Sequence, residues 1–158
     1  MQKQRDIYET HRHRVFSVSY YMTANELEAE RILTHTFVEA FAGAPEPDAH
    51  GVDEALLTEL ERRFSLAPTA PARPDKGADL GGGQVRRTDL EEAVGTLPPR
   101  ERLVFLLRDV ESYPAARIAG LLGCDEAGVQ MTLLSARIRM RNALSQLRAR
   151  ETVLRPTG

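Results

Sequence analysis

Apolar residues recur at helical spacing along most of this chain, and no stretch shows the two-residue alternation of a half-buried strand. Residues 2–22 have a mixed pattern that predicts a helix with one apolar side. Thr23-Ala24-Asn25-Glu26 predicts a capping box, in which Thr23 and Glu26 satisfy free amides at the start of the next helix. That helix has one broad apolar stripe, formed by Ile32, Leu33, Thr36, Phe37, Ala40 and Phe41. A third helix, with Asp53 as its predicted N-cap, carries a narrower stripe of Leu56, Leu57, Leu60 and Phe64.

The segment 97–150 contains the most informative pattern. Pro98-Pro99 predicts the start of a helix over residues 100–110, whose inward positions are Leu103, Val104, Leu107 and Val110. Two further helices flank Gly123, where a positive φ costs little because the residue has no Cβ. Ala119 allows the two helices to cross closely, and Val129 falls on the inner face of the second. This spacing predicts a helix-turn-helix whose second helix can enter a DNA major groove, although an ordinary helical hairpin shares the glycine turn.

The periodic pattern divides the chain into three parts. Residues 1–66 and 90–158 are periodic, whereas residues 67–89 contain three prolines and a run of three glycines without periodicity. This composition predicts a flexible linker between two small helical domains, so the fold class is all-α. The glycine run is not a phosphate cradle, because no strand precedes it and no Lys-Ser/Thr pair follows it.

Charge changes this picture at the C-terminal end. The net charge is only −2, and residues 44–96 hold 11 acids against 6 bases. Residues 135–150, by contrast, hold five arginines and no acid. Any electrostatic contact with nucleic acid is therefore predicted there. Cys124 is the only cysteine, which excludes an intrachain disulfide, and no apolar run could span a bilayer; both features favour a cytoplasmic protein without membrane contact.

Nothing in the sequence predicts catalysis, a metal site or a cofactor. His11 and His13 are two positions apart, so on a helix their side chains point in different directions. The chain shows no Ser/His/Asp arrangement and no metal-ligand spacing. We therefore expect a protein that is not an enzyme.

The order of these motifs resembles the extracytoplasmic-function type sigma factors of bacterial RNA polymerase, within the sigma-70 family. The resemblance is carried by Leu97-Pro98, residues 102–108, Ile118-Ala119, Leu122-Gly123, Val129 and Ala136-Arg137, with a thinner match at Glu28-Ala29-Glu30, Phe37, Ala40 and Phe41. It implies a sigma-two-like domain over residues 1–66 and a sigma-four-like domain over residues 90–158. Two-helix regulators of the response-regulator type share the C-terminal pattern but not the capped pair of N-terminal helices.

The resemblance implies three partners, which are RNA polymerase core, promoter DNA and an anti-sigma or other protein. The implied DNA-binding residues are Gln130, Met131, Thr132, Ser135, Arg137, Arg139 and Arg141. The implied polymerase-binding residues are Glu28, Glu30, Arg31, Thr34 and His35.

Departures from the family pattern predict weak DNA binding. Gln130, Thr132 and Ser135 stand where the family has basic residues, and Gln130 can still bond an adenine edge. The candidate melting segment, residues 52–64, is acidic, and the chain has no Trp to capture a flipped base. We expect salt-sensitive DNA binding without autonomous promoter melting. The alternative is a degenerate sigma relative that acts through protein–protein contacts.

Overall fold

A computed structural model describes residues 2–76 and 85–154, and the structural statements below refer to these residues. They form seven α-helices and no strand, which confirms the all-α prediction. The helices are α1 (Gln2–Thr23), α2 (Glu26–Gly43), α3 (Ala49–Arg63), α4 (Arg87–Gly95), α5 (Pro99–Phe105), α6 (Ala115–Leu122) and α7 (Glu126–Leu154). No helix among them has the length and hydropathy needed to cross a membrane.

Helices α1, α2 and α3 pack together through the apolar faces that the sequence predicts. The α2 stripe is buried from Ile32 to Ala40, and Phe41 is partly buried at its edge. Helix α1 is one continuous helix that contributes Val15, Val18 and Met22 to the same core. Burial of these side chains is the main favourable contribution to this half of the fold.

The predicted N-caps of two helices are wrong, one by two residues and the other by five. Asn25, not Thr23, caps α2, and its side chain accepts a hydrogen bond from the Glu28 amide at 2.9 Å. Thr23 instead ends α1, because Ala24 adopts a left-handed φ of 52° and reverses the chain. Helix α3 begins four residues before the predicted cap.

At that earlier start, Asp48 accepts a hydrogen bond from the Gly51 amide at 2.8 Å and is the N-cap of α3. Asp53 therefore lies inside the helix, where it is buried.

The C-terminal helices form the predicted helix-turn-helix. Gly123 ends α6 with a φ of 68°, and Ile118, Ala119 and Val129 are buried between α6 and α7. Helix α5 ends in a π-helical turn, Leu106–Val110, in which the Glu111 amide bonds the Leu106 carbonyl at 2.9 Å. The wider turn rotates Val110 outward to 49% exposure, so its predicted inward position is wrong.

The two groups of helices share one hydrophobic core. Helix α1 packs against α4 and α5, and α3 packs against α6. The Arg102 guanidinium also crosses between the groups and donates to the Met22 carbonyl. The division into domains at residues 1–66, 67–89 and 90–158 stays a prediction, because no break in the core marks it. The glycine run at residues 81–83 lies outside the described residues.

Candidate nucleic-acid interface

Helix α7 presents the candidate reading surface after a three-residue turn. The Cys124 amide bonds the Ala119 carbonyl at 3.1 Å, which closes the turn. Asp125 then accepts a hydrogen bond from the Gly128 amide at 2.7 Å and so starts α7. This arrangement fixes the angle between α6 and α7 and leaves the first turns of α7 facing solvent.

The exposed side of those first turns is mixed in character. Gln130 is exposed, and Met131 beside it is 60% exposed. Leu134, one turn further, is 53% exposed. The Thr132 hydroxyl donates to the Gly128 carbonyl at 2.9 Å, within its own helix. The predicted residues Gln130, Met131 and Thr132 therefore lie together, with Leu134 as an apolar neighbour that was not among them.

Two of the predicted phosphate-binding arginines are already paired with carboxylates. Arg137 donates twice to Asp109, at 3.0 and 2.7 Å, and this hydrogen bonding raises the pKa of Arg137. Arg139 donates to Glu101 at 2.9 Å. Arg141 is exposed. The paired arginines must exchange a carboxylate for a phosphate before they can contact DNA.

Ser135 is the predicted DNA-binding residue whose surroundings differ most from the expectation. It is only 5% exposed, accepts a hydrogen bond from the Ala72 amide at 2.8 Å and donates to Glu101 at 3.1 Å. Glu101 is itself buried and also accepts hydrogen bonds from Thr69 and Arg139. The sequence does not indicate that this carboxylate is buried, because an acid in the first turn of a helix is usually exposed and favoured there by the helix dipole.

A second buried carboxylate, Asp53, joins the two groups of helices. It is 4% exposed and accepts hydrogen bonds from Arg14 at 3.0 Å, Tyr113 at 2.9 Å and Arg117 at 2.7 Å. The Arg117 guanidinium also lies 3.7 Å from the centre of the Tyr113 ring, which is a cation–π contact. Burial, and then the nearby Asp53 charge, raise the pKa of Tyr113.

His11 lies at the edge of this cluster. The Arg14 guanidinium donates to its Nδ1 atom at 2.9 Å. Burial, followed by the positive charge of Arg14, lowers the pKa of His11 below its usual value of 6.5. Both effects favour the neutral imidazole. Among the described residues, no group of three potential metal ligands occurs here or elsewhere.

The predicted polymerase-binding residues divide between two environments. Glu30, Arg31 and Thr34 are exposed on the outer side of α2. Glu28 is half-buried and bonds both Arg31 and, on α3, Arg63, whereas His35 is exposed and lies 3.6 Å from Glu59 of α3.

Two exposed apolar residues extend that outer side of α2. Leu27 is 62% exposed and Val38 is 66% exposed. Both residues lie outside the buried stripe of α2. The sequence could have identified them as exposed apolar residues from that position alone.

Comparison with known proteins finds a family model that matches the C-terminal helices. Residues 87–140 match the family model of Sigma-70, region 4. The chain is 37% identical over 68 residues, 41% of its length, to the positive control factor of Bacillus subtilis. It is 23% identical over 163 residues, 89% of its length, to the ECF RNA polymerase sigma factor SigE of Mycolicibacterium smegmatis. The chain spans 40% and 61% of these relatives.

The fold as a whole also has a solved counterpart. The sigma factor RpoE of Bartonella quintana, in a co-crystal with the anti-sigma factor NepR, matches with a TM-score of 0.62 at 14% identity. The match covers 90% of this chain and 94% of that one. Together these findings confirm the resemblance that was inferred from the sequence.

Proposed function

We propose that this chain is a sigma-factor-like protein that regulates transcription initiation, a proposal supported by the match of residues 87–140 to the sigma-70 region 4 model. Its N-terminal helices bind RNA polymerase core, and its helix-turn-helix binds promoter DNA. The observation that supports this most directly is the geometry of α6 and α7, with the left-handed Gly123 between them. A regulator of this class is not an enzyme.

The DNA contact is weak in this proposal. Gln130 reads a base edge, and Arg137, Arg139 and Arg141 contact the backbone. Arg137 and Arg139 first lose their bonds to Asp109 and Glu101, which offsets part of the gain from phosphate binding. Affinity then falls steeply as salt rises.

The polymerase contact uses the outer side of α2. Glu30, Arg31 and Thr34 supply polar groups there, and Leu27 and Val38 supply apolar area. An interface with an apolar centre and a polar rim is the usual composition of a protein-binding surface.

Promoter melting is not part of the proposed activity. Glu54 and Glu61 are exposed on α3, where a melting surface would have to be basic. An acidic helix repels single-stranded DNA, and no Trp is available for stacking.

One observation favours a second candidate, a protein-binding module with little DNA affinity. Met131 and Leu134 expose apolar area on the helix that would enter the groove. Exposed apolar area is typical of a protein interface rather than of phosphate contact.

Two measurements test the proposal. A pull-down with the purified chain tests capture of RNA polymerase core, with Arg31→Glu as the interface variant. Arg87→Glu is the matched control, because Arg87 is also exposed and paired with a glutamate of its own helix, but lies on α4 outside the N-terminal helices. We expect Arg31→Glu to reduce capture and Arg87→Glu to leave it unchanged.

An electrophoretic shift at about 50 and about 200 mM salt measures the DNA contact. We expect binding only at the lower concentration. Tight binding that persists at the higher one contradicts the weak-binding proposal, and a pull-down without polymerase or any other protein contradicts both candidates.

A further inference from the structure

A segment of the linker lies along the helix that is proposed to bind DNA. Residues 67–75, called the strap below, form neither helix nor strand. Pro68, Pro71 and Pro74 lack an amide donor and disfavour helix, so the backbone carbonyls and remaining amides stay available to neighbours. This segment was predicted to be a flexible linker, but it is bonded to α5 and α7.

Helix α7 holds the backbone of the strap through both donors and acceptors. Arg139 donates to the Ala70 carbonyl at 2.6 Å, and Ser135 accepts from the Ala72 amide at 2.8 Å. Further along, Asn142 donates to the Arg73 carbonyl at 3.0 Å and accepts from the Asp75 amide at 3.1 Å.

The α7 residues that make these bonds share one face of the helix. Ser135, Arg139, Asn142 and Gln146 are spaced at three or four residues, and Gln146 reaches Asp75 at 3.4 Å. The strap therefore covers a continuous face of α7 rather than a single point. On this face, Arg139 is also proposed to contact DNA, and Ser135 is among the residues for which the sequence analysis predicts such a contact.

The buried Glu101 strengthens the closed arrangement. It bonds Thr69 of the strap as well as Ser135 and Arg139 of α7. Because Glu101 itself belongs to α5, this one carboxylate connects α5, the strap and α7. A phosphate that approached Arg139 would meet this negative charge at close range and would be repelled.

We propose that the strap is an autoinhibitory contact, so that duplex DNA and the strap exclude each other on the Ser135–Arg139 face of α7. This inference rests on the proposed DNA-binding role of α7. The apparent affinity for DNA is then the intrinsic affinity multiplied by the fraction of molecules with an open strap. The closed strap is thus a second cause of low DNA affinity, in addition to the missing basic residues. A partner that binds and displaces the strap would remove this second cause.

The first test uses hydrogen exchange in the unmodified chain at about 50 mM salt. The Ala72 and Asp75 amides report the strap, because each donates to a side chain of α7. The probe is a mixed-sequence duplex of about three helical turns. We expect saturating duplex to accelerate exchange at both amides, and unchanged exchange in the bound protein overturns the inference.

The second test opens the strap without altering the proposed DNA contacts. Asn142→Ala removes two hydrogen bonds to the strap, and Ala72→Pro removes the amide that bonds Ser135. Ser145→Ala is the matched control, since it lies on α7 and makes no hydrogen bond to the described part of the strap. Fluorescence anisotropy with the same duplex then gives the dissociation constants.

In Asn142→Ala we expect faster exchange at the Ala72 amide, and in Ala72→Pro, which has no amide at residue 72, we expect it at the Asp75 amide. Both variants should bind the duplex about fivefold more tightly, and Ser145→Ala should change neither quantity. Faster exchange without tighter binding overturns the inference but leaves the proposed function intact. Unchanged exchange in both variants also overturns it, since the named bonds then do not hold the strap. If the strap opens and no variant binds duplex at all, the DNA-binding half of the proposed function fails, and the inference fails with it.

Discussion

Replacement of Asp53 by Asn tests the connection between the two groups of helices. The substitution preserves size and leaves Oδ1 as an acceptor for Arg14 and Tyr113. It places an amide donor where Oδ2 now accepts from Arg117 at 2.7 Å. It also leaves two arginines without their buried counter-charge.

The magnitude follows from the burial of the three partners. Loss of one member of a buried ion pair costs about 3–5 kcal/mol, because the remaining charge is left uncompensated. Arg14 is 17% exposed and cannot reach water easily, whereas Arg117 is 35% exposed and can turn outward. We therefore expect the free energy of unfolding to fall by about 3 kcal/mol, the lower end of that range.

Urea denaturation followed by circular dichroism measures this change. With a slope of about 1–3 kcal/mol per molar urea, the midpoint should fall by at least about 1 M. Glu54→Gln is the matched control, because Glu54 is the next residue of α3 and pairs with His50 only at the surface. The control should shift stability by less than about 1 kcal/mol. A loss for Asp53→Asn no larger than that of the control refutes the reasoning, since the carboxylate would then not be holding its partners.

Three further predictions concern the turn, the pH response and the DNA contact. Gly123→Ala should destabilise the chain by about 1 kcal/mol, because a side chain is strained at a φ of 68° even though no atom lies within 4 Å of the added Cβ. Gly120→Ala, inside α6, should stabilise the chain by about as much in the same urea assay, because alanine favours helix over glycine. The pKa of His11 is lower in the folded state, so the unfolded state binds more protons from about pH 6.5 downward, and the free energy of unfolding should fall as the pH drops through that window. His11→Gln should therefore flatten the dependence of the urea midpoint on pH. An equally steep dependence in the variant contradicts this. Asp109→Asn should free Arg137, so that the duplex binds severalfold more tightly and the salt dependence of binding becomes steeper by about one counterion. An unchanged salt dependence argues against a phosphate contact by Arg137.

The helices and the turn were largely predictable because they depend on local chemistry. The α2 stripe, the Ala119–Gly123–Val129 spacing and the glycine turn each follow from side-chain period or from a backbone preference. Their outcome in the structure agrees with the prediction, although the caps of α2 and α3 lie at other residues. A cap depends on which of several nearby polar side chains faces the first turn, and the sequence around Thr23 and Asn25 offers more than one.

The two buried carboxylates were not predictable from the same information. Asp53 stands where the sequence predicts a helix N-cap, and Glu101 stands near a helix start, where an acid is usually exposed. Each is buried because donors arrive from distant parts of the chain, such as Tyr113 for Asp53 and Ser135 for Glu101. The strap was missed for a related reason. Proline-rich composition indicates the absence of helix, but it does not tell whether the backbone bonds a neighbour.

A small cavity between α3 and the C-terminal helices is lined by leucines and by one charged residue, Asp53. Leu56 and Leu60 of α3 face Leu103 and Leu107 across a small cavity, and Asp53 borders the same cavity. Apolar contact has no preferred direction, so the leucines alone would allow one half to rotate against the other at little cost. Hydrogen bonds to Asp53 tolerate only a narrow range of angles. The leucines therefore hold the halves together, while directional bonds such as those to the two Asp53 oxygens set the orientation in which they do so.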